Sequence, residues 1–163
     1  FNPDAVAKYR QLGYENRQLT KEQFRDDTVD AGEVGSGQSV TALYELEMKP
    51  EAMGRKKMYG DYIAVVRVRY QRVDNGRIEE IEHTIWPRDI MGSFDDMDVR
   101  FRLAAAVAEF AEILRASPYA AGSGYQDVAE VLYGVSSELG LDKQIQELKR
   151  MVEGAGGMAR GNF

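Results

Sequence analysis

The chain has 163 residues with 21 basic and 27 acidic side chains, a formal net charge of −6, and 44% hydrophobic and 29% charged residues. This is the composition of one globular domain or two small ones, and it excludes a disordered tail. The negative charge argues against a nucleic-acid partner, and with no Cys and a single His the chain holds no disulfide, thiolate metal site or Cys nucleophile. No run approaches the ~18 consecutive apolar residues of a membrane-spanning helix, so this segment is not expected to insert into a membrane.

Asn2-Pro3-Asp4 carries a helix-start pattern, Asn capping and Pro in the first position, and predicts a short N-terminal helix. From Tyr9 to Glu15 the pattern turns to a period of two. Thr20-Lys21-Glu22-Gln23 has capping-box spacing and predicts a single turn ending near Phe24. Residues 25–38 read as an acidic, Gly-rich loop.

Strand patterns follow. Val40, Ala42, Tyr44, Leu46 and Met48 alternate with mostly polar neighbours, and a second run spans Tyr62 to Tyr70. Asn75-Gly76 between alternating segments predicts a β-hairpin. A two-residue turn there pairs Tyr70 with Ile81, Val68 with His83 and Val66 with Ile85 on an apolar face. The other face then carries Gln71 with Glu80 and Arg69 with Glu82.

Beyond Trp86-Pro87 the periodicity becomes helical. A helix from Val99 to about Arg115, apolar on most of its circumference, ends at Ser117-Pro118; a second spans about 125–138, and a third follows Asp142. Strands first and helices later give an α+β fold. The expected organisation is one domain over 1–153, mainly β over 1–90 after the short helix and helical over 95–153. Residues 154–163 are rich in Gly and predict a flexible tail.

Few residues suggest chemistry. Asp26, Asp27, Asp30 and Glu33 place four carboxylates within eight residues, and hard cations take such oxygens. Their spacing is not that of an EF-hand loop, so they stand as metal candidates only, against the alternative of carboxylates that cap turns. Gly32, Gly35 and Gly37 precede a strand, whereas phosphate cradles precede a helix. His83 lies on the apolar hairpin face with no general acid–base partner nearby in sequence. Arg55-Lys56-Lys57 reads as a solvated loop, and Met48, Met53 and Met58 as ordinary packing or an adaptable contact surface. No catalytic residue and no cofactor are assigned, and the chain is not expected to be an enzyme.

Three stretches together carry a resemblance. They are Phe1-Asn2-Pro3 with Tyr9 to Arg17, then Asp26-Asp27 with the run from Asp30 to Glu45, and finally Phe101 to Phe110 with Leu114 to Tyr119. In that order they resemble the C-terminal domain of unknown function of bacterial YfbK-like proteins, which follows a von Willebrand factor type A domain. Gln38 departs from the His expected there, which weakens any family-based metal ligand at that position. The resemblance implies a non-catalytic accessory module beside an upstream type A domain, in a cell-envelope protein that is lipid-anchored through a preceding segment. The type A domain, and possible further envelope proteins, are then the partners. With Phe1 at its start and no initiator Met, the sequence is expected to be a piece of a longer protein. The alternative is an independent ligand-binding module with a cation held by loop 26–33; a hydrolase using His83 with carboxylates of that loop is a third reading.

Overall fold

Alternating apolar residues in the first ninety positions and 3.6-residue repeats thereafter fold into separate local structures. A computed structural model describes residues 1–13, 19–20, 22–29, 34–35, 37–52, 62–90, 92–140 and 142–160. The chain divides into two compact units, Phe1–Ile90 and Met91–Phe163.

The first unit holds two antiparallel two-stranded sheets. One pairs β1 (Val6–Leu12) with β2 (Leu43–Met48), and the other pairs β3 (Ala64–Gln71) with β4 (Ile78–Ile85). The small antiparallel sheet anticipated in this half is thus a pair of ladders. β1 bulges between Val6 and Lys8. Beyond the bulge, Lys8 bonds Glu47 at 2.9 Å and Arg10 bonds Glu45 at 2.5 Å, opposite charges facing each other across the ladder. Phe1 stacks beside Tyr9 and Tyr44, with centroids 4.5 and 5.4 Å away.

The helix expected at the N-terminus is absent. Asn2 caps as its sequence suggests: its side-chain oxygen accepts from Asp4 N–H at 3.0 Å, and its carbonyl accepts from Ala5 and Val6 N–H. The turn stops there because Val6 enters the ladder with β2 and, with Ala5, is buried against Ile63 and Ala64. Tertiary pairing overrides the local start signal. Asn2 also donates its amide to the Tyr62 carbonyl at 2.6 Å and its backbone N–H to Ile63 at 2.8 Å, so this buried residue ties the chain start to the entry of β3.

The β3–β4 hairpin forms with its register displaced by two residues from the expected one. Val66 faces His83, Arg67 faces Glu82, Val68 faces Ile81, Arg69 faces Glu80 and Tyr70 faces Glu79. The turn contains four residues, 73–76, closed by Arg72 N–H to the Arg77 carbonyl (2.8 Å) and Gly76 N–H to the Arg72 carbonyl (2.9 Å). A two-residue turn of the hairpin type needs positive φ at both central positions. Here only Gly76 adopts it, at +69°, while the Asn75 side chain accepts the Arg77 N–H at 2.9 Å. A shift of two preserves parity, so each residue keeps its expected face.

The second unit is a three-helix assembly of α1 (Val99–Leu114), α2 (Tyr125–Leu139) and α3 (Lys143–Ala159). Asp98 caps α1 by accepting from Arg100 N–H at 2.8 Å, and Asp142 caps α3 by accepting from Gln144 and Ile145 N–H. Ala106, Phe110, Val128, Leu132 and Val152 form its buried core, contributed by all three helices.

Helix α3 also corrects the expected tail. It runs through Gly154, Gly156 and Gly157 to Ala159. Gly156 is buried, and a Cβ there would come within 3.1 Å of the Tyr125 Cβ. Small residues let α3 approach α2 closely, and this packing outweighs the poor helix propensity of Gly. Residues 161–163 lie outside the described residues.

Candidate functional site

The capping box at Thr20 forms as expected. Thr20 N–H donates to Gln23 Oε1 at 2.9 Å and Gln23 N–H donates to Thr20 Oγ1 at 3.3 Å, starting a turn over Gln23–Arg25. That turn delivers the first two metal candidates. The Asp26 carboxylate accepts from the Thr28 N–H at 2.9 Å and from its hydroxyl at 2.7 Å, which holds the acid below the usual carboxylate range. The Asp27 carboxylate pairs with the Arg69 guanidinium on β3. Asp30 and Glu33 lie outside the described residues. Among the described residues no three His, Asp or Glu side chains are placed to hold a metal ion.

Asp27 and Arg25 act locally as a strap. Arg25 reaches Glu80 at 3.4 Å, and Arg67 spans Glu82 at 2.8 Å and Glu80 at 3.7 Å. The polar face of β3–β4 is therefore laced by ion pairs and covered in part by the preceding loop. Each exposed pair contributes little alone, about 0–1 kcal/mol. Together they mark the polar face as the one that the loop residues Arg25 and Asp27 reach.

The bare face is apolar. It carries Val66, Val68 and Tyr70 from β3 and Ile81 and His83 from β4. Val66 and Val68 are each 49% exposed and Ile81 is 56% exposed, the reverse of what a buried sheet face shows. Only the end of the ladder nearest Ala64 and Ile85 reaches the core shared with Val6 and Ile63. His83 is exposed on this face, and no acid or base lies within hydrogen-bond distance of it among the described residues.

At the far end a polar network fixes the tip. Arg72 grips Asp74 with two bonds, Nη2 to Oδ2 at 2.7 Å and Nε to Oδ1 at 2.8 Å, and reaches Glu79 at 3.4 Å. The Tyr70 hydroxyl donates to Glu79 at 2.9 Å, which raises the phenol above its ordinary range. The two-residue turn assumed from Asn75-Gly76 conceals this cluster, because it places Tyr70 opposite Ile81. Counting from a four-residue turn brings Tyr70 opposite Glu79. Residues 53–61, with the basic stretch Arg55-Lys56-Lys57 and Met53 and Met58, lie outside the described residues.

Comparison with known proteins agrees with the resemblance in the sequence. No solved structure matches the chain. A relative from Escherichia coli (strain K12), the uncharacterized protein YfbK, is 33% identical over 142 residues, which cover 80% of this chain and 24% of the relative. The chain therefore spans about a quarter of the length of the curated relative it matches. The family model for the C-terminal region of the uncharacterized protein YfbK matches residues 1–157, and the chain belongs to that family of bacterial domains.

Proposed function

We propose that this domain is a non-catalytic accessory module of a bacterial cell-envelope protein, packing against an upstream von Willebrand factor type A domain through the bare face of β3–β4. The observation that carries the reading is that face: Val66, Val68, Tyr70 and Ile81 form a contiguous apolar surface about half open to solvent. Such a surface on a soluble domain costs free energy until a protein partner covers it. The matched relative is four times longer than the region shared with it, so a neighbouring domain is a natural source of the partner. In this reading the parent protein is lipid-anchored through a segment preceding the type A domain, and the present module helps present that domain's binding face.

The test is a calorimetric titration of the 163-residue chain with the type A domain, in Mg²⁺ and then in EDTA. Saturable binding in both buffers that is abolished by Val68→Glu with Ile81→Glu supports a companion docked on the hairpin and outside the ion site. Binding only in Mg²⁺ would place the contact at the ion-dependent face instead. An absence of binding in both buffers would overturn the proposal.

A further inference from the structure

Between the turn Phe94–Asp96 and helices α1 and α2 lies a groove with two adjoining lobes, of about 350 and 180 Å³, which share Phe94, Asp127 and Val131. Its floor is apolar, with the buried Ala106 and Val128 beside Val131, and the half-exposed Phe94 flanks it, while Asp95, Glu109, Asp127 and Glu130 line it with carboxylates. The one cationic residue lining it, Arg102, is already committed: it pairs with Glu138 and donates to the Met97 carbonyl at 3.2 Å. Asp127 accepts the Gly124 N–H at 2.7 Å as part of the α2 start, and Glu130 accepts from Gln126 at 3.4 Å. Asp95 and Glu109 carry no hydrogen bond or ion pair among the described residues.

The arrangement discriminates between kinds of cation. A metal ion needs carboxylates converging on one point, and no three acids among the described residues do so. These carboxylates are spread along the border of an apolar floor. That pattern matches a ligand whose cationic heads sit at the end of aliphatic stems, as in Lys and Arg side chains. From this charge complementarity we infer that the groove receives an extended segment of another protein in which Arg or Lys alternates with apolar residues. The apolar residues lie on Phe94 and Val131, and the cationic heads reach Asp95 and Glu109.

Fluorescence anisotropy of the full chain with a labelled pentapeptide alternating leucine and arginine tests the inference. The comparison variants are Asp95→Asn with Glu109→Gln, and Glu51→Gln with Glu147→Gln, which makes the same charge change at two residues that do not line the groove. Neither pair removes a helix cap, and circular dichroism verifies that both remain folded. The expected result is saturable binding that the groove pair weakens roughly fivefold, as for two exposed charge pairs, and that the control pair changes by less than about twofold. Equal weakening by both pairs would reduce the effect to overall charge and overturn the inference. So would the absence of saturable binding, equal binding of the same peptide with glutamate in place of arginine, or displacement by spermidine as effective as by unlabelled peptide.

Discussion

The two units of this chain solve the problem of a hydrophobic core unequally. In the helical unit Leu132, Val135 and Val152 are fully buried, and one core cluster draws on all three helices. In the strand unit the buried set is Ala5, Val6, Ile63 and Ala64, small in volume and gathered at one end of two ladders. A helix can bury its stripe against helices adjacent in sequence, whereas a two-stranded ladder offers two faces and too few neighbours to cover both. Both units expose large apolar side chains, Phe101, Val107 and Leu114 of α1 among them; the strand unit differs in that Val66, Val68 and Ile81 line one face of a single ladder whose buried core is confined to one end.

The sharpest way to break this comparison is to hollow out each unit in turn. Leu132→Ala is expected to destabilise the helical unit by about 2–5 kcal/mol, as for a large core residue replaced by Ala. Ile81→Ala, on the bare hairpin face, is expected to change stability by less than about 0.5 kcal/mol, as at exposed positions. Urea titrations followed by far-ultraviolet circular dichroism check both, and comparable losses would show that the hairpin face is covered in solution.

The glycines of α3 sharpen the comparison inside the better-packed unit. Gly156→Leu drives a side chain into Tyr125 and is expected to cost about 1–3 kcal/mol. At Gly154 an added Cβ meets no atom within 4 Å, so Gly154→Ala is expected to gain about 0.5–1 kcal/mol from helix propensity alone. Thermal melts of the two variants should shift in opposite directions. A common direction would mean that close approach to α2 is not what keeps this Gly-rich stretch helical.

Much of this was legible in the residues. Asp98 and Asp142 cap where their positions suggest, the Thr20–Gln23 box closes, and the apolar and polar faces of the hairpin sort as their alternation requires. What escaped was set by tertiary contact. Asn2-Pro3 looks like a helix start until Val6 is claimed by a strand 42 residues away, at Met48. The Gly-rich end of α3 looks like a tail until Tyr125 is seen to pack tightly on position 156. The exposure of the hairpin face was not written in its alternation, since the same pattern serves a covered sheet equally well. The groove beside Phe94 depends on residues from three segments, 94–96, α1 and α2, and no local spacing announces it.

The smallest expected effect concerns the hairpin tip, where pH tests whether the bare face is held in register by polar groups. The Arg72 guanidinium holds the Asp74 carboxyl below the usual carboxylate range. A group whose folded value is lowered contributes stability that is present above its unfolded value and is lost as pH falls through the folded one. For Asp74 the loss therefore falls on the acid side, below about pH 4. Tyr70 responds at the opposite extreme. Its hydroxyl donates to Glu79 and its folded value is raised, so its contribution is present below the unfolded value and is lost as pH rises past about 10. A ¹³C carboxyl titration by nuclear magnetic resonance should find the Asp74 midpoint depressed in the native chain and restored toward the ordinary range in Arg72→Gln. An unchanged midpoint would mean that Arg72 does not hold Asp74 in solution. Register at the tip would then rest on the turn geometry of Asn75 and Gly76 and on the hydrogen bond from the Tyr70 hydroxyl to Glu79.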